Sequence, residues 1–230
     1  MSIVIFARNP IPGQVKTRLL ALLSPEQAAR LYEAFLRDTC RGISEVSLSA
    51  SVPVYLACSP TCRAVFFEDL ARTFGFERFD QAAGDLGFRM AEASRFALGI
   101  HGRVVLVGSD TPDLPFVRLI DAFESLTQTE VVFGPSRDGG YYCLGMNRLI
   151  EPLFQDIQWS TPGVLSQSRL RLDATGVGYT LLEPWEDVDD PASLERLRER
   201  LRQDPEAALH TREQLARLSP SRDSETSKPR

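Results

Sequence analysis

Short apolar runs alternate with longer amphipathic stretches along most of the chain. Runs typical of buried strands occupy residues 3–7, 52–57, 76–81 and 103–107. Between them, apolar residues recur at helical spacing in residues 24–35, 60–74, 88–98 and 116–126. Alternation of this kind predicts βαβ units, and therefore a mostly parallel sheet with helices on both of its faces.

The first helix has a defined start. Ser24 is a good helix cap, and Pro25 suits the first helical position because its missing N–H has no partner there in any case. Leu31 and Phe35 continue the apolar face of this helix. A long loop, residues 8–23, therefore separates the first strand from the first helix.

The order of elements changes after residue 130. The strand VVFGP, a turn at residues 137–140 and the strand YYCLGM predict a hairpin, which would make the sheet mixed. A helix starting near residues 160–162, a strand at 177–182 and a helix from Pro191 follow.

Chain length and composition indicate one domain. A chain of 230 residues suffices for one sizeable core, which we place in residues 1–202. Residues 203–230 form a polar tail that we predict to be partly helical and then, in residues 219–230, disordered. No run approaches the ~18 apolar residues of a membrane helix. The short apolar run at the N-terminus lacks the features of a signal peptide, so we expect a cytoplasmic protein with no membrane partner.

The charge balance limits the class of partner. With 26 basic and 31 acidic side chains, the net charge is −5, and no basic footprint for nucleic acid is present. An anionic substrate would therefore need a local basic cluster or a metal ion. The four cysteines and two histidines lack the spacing of a zinc site, and no histidine lies in a motif that would activate Cys143 as a nucleophile.

Four polar motifs follow predicted strands. In open α/β sheets, ligands bind outside the carboxyl ends of the strands, so these motifs are the candidates for chemistry. The motifs are NPIPGQVKTRL, QAAGDLG, GSDTPDLP and GPSRDGGYY.

The first motif is a candidate phosphate-binding loop, but not a Walker A loop. Val15 stands where that motif requires glycine before the lysine, and the first glycine is missing. The motif G-x-G-x-x-G is also absent. Lys16 and Arg18, on either side of Thr17, would suit a diphosphate or triphosphate. The alternative is a solvated basic loop without a ligand.

Candidate metal ligands occur in two motifs. Asp110 directly follows the strand VVLV, where its carboxylate would project into the cleft, although it could also only cap a turn. Asp113 fits a helix cap better than a ligand. In WEDVDDP, Asp187 and Asp189 point the same way if the segment is extended, so one of them could complete a metal site, and Asp190 before a proline is explained as a helix cap.

The hairpin motif combines charges with glycines. Arg137 is not needed by a turn, which favours a role in binding, whereas Asp138, Gly139 and Gly140 also fit ordinary turn chemistry. The glycines would let a backbone approach a ligand closely. Tyr141 is a candidate cleft-wall aromatic.

Taken together, FARNPIPGQVKTRL, GDLGFRM, VVLVGSDTPDLP, GPSRDGGYYCLGM, IQWST and WEDVDD resemble a bacterial GT-A-fold family of the nucleotide-diphospho-sugar transferase type. That family is glycosyltransferase-like and is linked by name to radical-SAM and selenoprotein gene neighbourhoods. The resemblance covers residues 3–201. It implies a three-layer α/β/α sandwich with a mostly parallel mixed sheet, and a cytoplasmic transferase.

Some motifs are also similar to those of phospholactate and molybdenum-cofactor guanylyltransferases. This similarity implies that nucleotide phosphates are held by the loop after the first strand, that the base lies near a glutamine-glycine loop, and that substrate is bound at the hairpin. The implied nucleotide-binding residues are Arg8, Gly13, Lys16, Thr17, Arg18, Gln81, Gly84 and Asp85. The implied substrate-binding residues are Arg137, Asp138, Gly139, Gly140 and Tyr141.

The resemblances imply Mg²⁺ or Mn²⁺ held by Asp110 and Asp189, with Lys16, Arg18 and Asp110 as the catalytic residues. Two reactions remain open: glycosyl transfer from a nucleotide sugar to a small acceptor, or nucleotidylyl transfer to a phosphorylated small molecule with release of pyrophosphate. The D-x-D motif expected for glycosyl transfer is absent, since Ser109 and Thr111 flank Asp110. A third hypothesis is a nucleotide-binding module without catalysis. Base, acceptor and oligomeric state stay open.

Overall fold

The computed structural model describes residues 1–218, which form a seven-stranded sheet between two layers of helices. The strands are β1 (Ser2–Arg8), β2 (Val54–Ser59), β3 (Glu77–Asp80), β4 (Val104–Val107), β5 (Val131–Pro135), β6 (Tyr141–Met146) and β7 (Tyr179–Leu181). The α-helices are α1 (Pro25–Ala50), α2 (Val65–Phe74), α3 (Leu86–His101), α4 (Arg118–Ser125), α5 (Val164–Thr175), α6 (Pro191–Gln203) and α7 (Leu209–Leu218), with short 3-10 helices at Thr17–Ala21 and Glu151–Phe154.

The sheet order is β3-β2-β1-β4-β6-β5-β7. β6 runs antiparallel to both of its neighbours, and all other pairs are parallel. The mostly parallel mixed sheet and the hairpin are therefore confirmed. The carboxyl ends of β1, β2, β3 and β4 meet at one edge, where the predicted polar motifs also lie.

The sheet is covered on both faces because its central strand is apolar on both. In β1, Ile3 and Ile5 pack into one core cluster, with residues of α1, α2, α4, α6 and α7. Val4, which points the other way, packs into a second cluster with residues of α3 and α5. All three side chains are fully buried. Alternation along a strand thus builds two cores from one sheet.

The start of α1 agrees with the sequence signal. Ser24 and Gln27 form a capping box, in which the serine side chain accepts from the Gln27 N–H and the glutamine accepts from the Ser24 N–H. Elsewhere the boundaries differ from expectation. The helix predicted from residue 60 begins only at Val65, because residues 60–64 form a loop in which the Cys62 N–H donates to Asp80.

The last described helix docks onto α1. The buried Asp38 carboxylate of α1 accepts hydrogen bonds from the His210 and Thr211 N–H groups, at 3.0 and 2.7 Å, in the first turn of α7. These are donors that a helix start leaves without partners. The disorder predicted for residues 219–230 falls outside the described residues. Within residues 1–218, no helix is long and apolar enough to cross a membrane.

Candidate functional site

Three charged side chains from distant parts of the chain meet at the carboxyl edge of the sheet. Lys16 lies in the loop after β1, Asp110 follows β4, and Asp189 directly precedes the cap of α6. The Lys16 Nζ donates to Asp110 Oδ1, to the Val188 carbonyl at 2.7 Å and to Asp189 Oδ1 at 2.8 Å. The Val188 N–H in turn donates to the Asp110 carbonyl at 2.9 Å, which ties the late segment to the end of β4.

Lys16 is held in place behind the two carboxylates. Its side chain is only 3% exposed, and its Nζ lies 5.6 Å from the centre of the Tyr32 ring and 5.4 Å from that of Phe35. Burial alone would lower the pKa of Lys16, but Asp110 and Asp189 outweigh it and raise the pKa above its usual value. The residue is therefore a permanent cation. Its backbone is left-handed, with φ of 47°, a conformation that is costly for lysine.

Lys16 was predicted to contact nucleotide phosphates, and this geometry does not support that role. An ammonium group has three hydrogens, and here all three have protein acceptors, so none is left for a phosphate. Lys16 fixes the positions of two carboxylates instead. Asp110 and Asp189 remain 44% and 41% exposed, and each has only one oxygen on the ammonium.

Negative charge is concentrated around Lys16, Asp110 and Asp189. Burial, followed by the charges of Asp138, Asp189 and Asp110, raises the pKa of Asp187 to about 7. For Asp189, burial would raise the pKa, but Lys16 outweighs it and the pKa is lowered. Like charges so close together repel one another, and a bound cation would relieve this repulsion. Within residues 1–218, however, no three His, Cys, Asp or Glu side chains form a metal-binding group on their own.

Two cavities meet at the carboxylates. The larger cavity, of about 470 Å³, extends toward the hairpin and α5 and includes Arg18, Asp138, Tyr141 and Trp159. The smaller cavity, of about 280 Å³, extends toward β2 and β3 and includes Arg8, Gln81 and Arg89. Both are lined by Phe6, Leu86, Ser109, Asp110 and Asp189.

Of the other nucleotide-binding candidates, several have structural partners. The Gln81 side-chain amide donates to the carbonyls of Ala57 and Ala7, at 2.8 and 3.3 Å, and so bridges β1 and β2. Asp85 caps α3, because its carboxylate accepts from the Phe88 N–H at 2.8 Å. This cap explains Asp85 without a ligand.

The remaining candidates of this group are exposed backbone and loop positions. Gly13 has φ of 77° and open space where a Cβ would stand, so it serves the turn and is not required for a close approach. Gly84 has φ of 141° and packs against the Phe88 side chain. Thr17 begins the 3-10 helix and is exposed.

The hairpin glycines were expected to let a ligand approach the backbone. At Gly139, however, the backbone of Pro162 occupies that space. A Cβ on Gly139 would lie 2.0 Å from the Pro162 carbonyl oxygen, and its φ is +92°. The Gly139 carbonyl also accepts from the Leu165 N–H at 2.9 Å. Asp138 closes the turn by accepting from the Gly140 N–H at 2.9 Å and from the Ser136 hydroxyl.

Replacement of Gly139 by alanine should therefore destabilise the protein by about 3 kcal/mol, because the new methyl group meets backbone and the φ is unfavourable for an L-residue. Chemical denaturation measures the loss. The matched control is Gly99→Ala on α3, where nothing lies within 4 Å of the added Cβ. It should change stability by less than about 1 kcal/mol, and in the stabilising direction. Equal stability of the two variants would contradict the packing role of Gly139.

Tyr141 lines one of the two cavities, whereas Arg137 lines neither. Arg137 is exposed and lines neither of the two cavities, and its backbone N–H donates to the Trp185 carbonyl at 3.1 Å. Its predicted contact with substrate thus has no support from the geometry. Tyr141 lines the larger cavity as predicted, and burial raises the pKa of its hydroxyl well above the usual value, so the group stays neutral.

Sequence reasoning missed three residues of the site. The Tyr32 hydroxyl, on α1, lies 2.8 Å from the Ser109 hydroxyl and accepts from the Arg8 N–H at 3.1 Å. This contact joins the ends of β1 and β4. Arg89 lines the smaller cavity from α3. Ser109 and Arg89 had a signal, since they belong to the motifs GSDTPDLP and GDLGFRM, which follow strands, whereas Tyr32 had none.

Asp113 was predicted to cap a helix, and this is wrong. The following helix begins at Arg118, and the Asp113 side chain is 3% exposed and paired with Arg200 of α6. It also accepts a hydrogen bond from the Trp185 indole at 3.3 Å. Arg200 further pairs with the buried Glu186, so this network anchors the segment that carries Asp187 and Asp189. Asp190 does cap α6, as predicted.

Comparison with known proteins places the chain in a family. Residues 43–161, which are 119 of the 230 residues, match the family described as "Uncharacterized protein conserved in bacteria (DUF2064)". The chain belongs to this family. The DUF2064 match includes Gln81, Asp110 and Asp138 but leaves out Lys16 and Asp189, which come from the flanking segments. A comparison with curated proteins gave no match.

Solved structures agree on the fold. A "putative nucleotide-diphospho-sugar transferase" from Desulfovibrio desulfuricans G20 is 28% identical, with a TM-score of 0.83 over 95% of this chain and 97% of that one. The inositol-1-phosphate CTP transferase from T. maritima is 13% identical, with a TM-score of 0.56 over 89% and 96%. The glucosyl-3-phosphoglycerate synthase from Mycobacterium tuberculosis, solved with Mn²⁺ and UDP, is 13% identical, with a TM-score of 0.53 over 94% and 77%.

The first of these likenesses confirms the nucleotide-diphospho-sugar transferase-like fold of this DUF2064 protein. At 13% identity, the other two show the fold alone. The 28% identical neighbour is described as a putative nucleotide-diphospho-sugar transferase, which supports the transferase class predicted from the sequence.

Proposed function

We propose that this protein is a metal-dependent transferase that moves a group from an activated nucleotide to a small acceptor, with a nucleotide sugar as the first candidate donor. The observation that carries the proposal is the meeting of Lys16, Asp110 and Asp189 between two cavities at the carboxyl edge of the sheet. Three segments, far apart in the chain, place opposite charges where α/β folds bind ligands.

The smaller cavity suits the phosphates of the donor. Arg8 and Arg89 line it, and Arg18 lies at the neighbouring cavity. Guanidinium groups match phosphate oxygens in charge and geometry. These arginines therefore replace Lys16 as the proposed phosphate contacts, while Thr17 and Gln81 stay nucleotide-binding candidates. The larger cavity, with Asp138, Gly140 and Tyr141 in its wall, would take the acceptor.

The carboxylates fit a hard divalent cation, Mg²⁺ or Mn²⁺. Asp110 and Asp189 each keep an oxygen that is not on the lysine, and both side chains are partly exposed. One or two protein carboxylates are typical for Mg²⁺, since phosphates and water complete its shell. Asp110 and Asp189 would hold the ion, which would neutralise charge on the donor's phosphates. Lys16 would hold the two carboxylates at a fixed separation.

Nucleotidylyl transfer is the second candidate, and one observation favours it. Asp110 stands alone at the end of β4, and its partner Asp189 comes from the other end of the chain rather than from a local D-x-D motif. In this reaction an acceptor oxygen bonds to the α-phosphorus and pyrophosphate leaves. In glycosyl transfer the acceptor bonds to the anomeric carbon and the nucleoside diphosphate leaves. Arg8 and Arg18 would stabilise the leaving group in both.

Thermal unfolding with a panel of nucleoside triphosphates and nucleotide sugars, with and without Mg²⁺, tests the proposal. Binding should add about 2.7 kcal/mol of stability at a hundredfold excess over Kd. Nucleosides without phosphates serve as the control and should have no effect. Stabilisation by triphosphates alone would rule out the nucleotide-sugar donor, and stabilisation by neither class would refute both transferase reactions.

Three further points belong to the same proposal. We propose the radical-SAM and selenodomain-associated type of transferase, on the motifs that carry that resemblance. We also propose a cytoplasmic location and a single catalytic domain in residues 1–202, with α7 of the following segment packed into the same core. The non-catalytic nucleotide-binding module remains the alternative if Asp110 proves dispensable.

A further inference from the structure

The larger cavity is poor in positive charge. Four carboxylates line it, and Arg18 is the only cation among its lining residues within the described part of the chain. The carboxylates are those of Asp110, Asp138, Asp187 and Asp189. Lys16 pairs with two of them but is itself buried behind them. A cation on Asp110 and Asp189 would still leave Asp138, which has no ion-pair partner within residues 1–218, in the lining of the cavity.

Hydrogen-bond chemistry restricts the occupant further. An ionised carboxylate accepts hydrogen bonds and donates none, so an occupant needs donors of its own. A phosphate or carboxylate group would bring more acceptors and like charge into a cleft where screening is weak. The Asp138 carboxylate in the lining therefore favours an occupant with hydroxyl or amino groups.

Part of the cavity lining is apolar. It is made by Met90, Leu106, Tyr141, Leu144, Trp159 and Val164. Trp159 is packed against α3, since a Cβ on Gly87 would lie 2.4 Å from its indole nitrogen. A fixed aromatic ring beside aliphatic side chains favours a flat or apolar body, and about 470 Å³ is in the range of small-molecule sites.

We infer that the larger cavity receives an acceptor with an apolar or aromatic body that carries hydroxyl or amino groups and no phosphate or carboxylate. This inference rests on the proposed function and specifies the class of its acceptor. The acceptor's oxygen or nitrogen forms the new bond to the transferred group, the bond from that group to the nucleotide breaks, and the acceptor's proton passes to solvent. The attacking group is thus an alcohol or amine, not the phosphate oxygen of a phosphorylated acceptor.

A matched set of probes tests the inference. 2-Phenylethanol, 2-phenylethylamine and 2-phenylethyl phosphate share one apolar body and differ in the polar group. Each is titrated into the full chain by ligand-observed NMR, with the best-stabilising nucleotide present to fill the smaller cavity. The alcohol or the amine should bind at least roughly tenfold more tightly than the phosphate ester. Equal or tighter binding of the phosphate ester, or no binding by any probe, would overturn the inference.

Variants test whether the carboxylates cause the preference. Asp138→Asn should narrow the difference in affinity between the amine and the phosphate ester. Asp138→Ser, which also keeps an acceptor oxygen for the turn, takes its place if that variant fails to fold. Asp173→Asn, exposed on the outside of α5, is the matched control and should keep the wild-type difference. An unchanged difference in affinity in a folded Asp138 variant would refute the role of this carboxylate.

The two proposals fail separately. If no nucleotide stabilises the protein, the proposed function fails. The probe titration is then run on the protein alone, and the preference among the three probes still tests the chemistry of the larger cavity. If nucleotides bind but the phosphate ester is preferred, only the acceptor class is wrong.

Discussion

The Asp110→Asn variant should lose the Mg²⁺-dependent part of nucleotide binding and about a hundredfold or more in transfer rate. Asparagine has nearly the same shape and keeps an oxygen for the Lys16 ammonium, but it lacks the charge that a divalent cation requires. Asp110 lies three positions after the end of β4, its side chain is 44% exposed, and it lines both cavities. The measurement is thermal unfolding with nucleotide, with and without Mg²⁺, beside a turnover assay.

The control for this variant is Asp173→Asn, which removes one exposed carboxylate of α5 that lines neither cavity and should behave as the wild-type protein. Unfolding without ligand shows whether Asp110→Asn has only weakened the fold. A folded Asp110→Asn protein that keeps the full Mg²⁺ dependence would remove Asp110 from the metal site. If the wild-type protein binds nucleotide and metal but shows no turnover, the non-catalytic nucleotide-binding module is favoured.

The Lys16→Met variant should lose about 2 to 3 kcal/mol of stability. Methionine keeps the length of the side chain and the same left-handed backbone, but Asp110 and Asp189 are left close together without their shared cation. Breaking a fully buried ion pair lowers the free energy of unfolding by more, roughly 3 to 5 kcal/mol. The loss is smaller here because both carboxylates are partly exposed. Chemical denaturation measures the loss.

Magnesium gives this variant a second readout. Mg²⁺ alone should stabilise Lys16→Met more than the wild-type protein, because the ion takes over the neutralisation of the two carboxylates. Arg30→Met, an exposed cation on α1, is the matched control and should change neither stability nor the response to Mg²⁺. Unchanged stability of Lys16→Met together with lost nucleotide binding would show instead that Lys16 contacts phosphates directly, as the sequence suggests.

Much of the fold could be predicted because its signals are local. Ser24 and Pro25 are adjacent, and the helix cap and first helical position predicted for them are confirmed. The alternation of apolar runs and helical stretches predicts the layers, since each element must bury its own apolar face. The short turn at residues 137–140 predicts the antiparallel pair of β5 and β6. Asp110 was likewise recognisable as a candidate, because it directly follows a buried strand.

The roles of individual side chains depended on contacts between distant segments. Lys16 and Asp189 are 173 positions apart, and nothing in the loop NPIPGQVKTRL shows that its lysine will be enclosed by carboxylates. Asp113 looked like a cap from its neighbours, whereas Arg200, 87 positions later, holds it in the core. The sequence suggested that Gly139 could contact a ligand, but in the folded chain the Pro162 backbone fills the space beside it. Periodicity and capping act over a few residues and can be read directly, but charge pairing and close packing exist only once the strands bring remote segments to one edge.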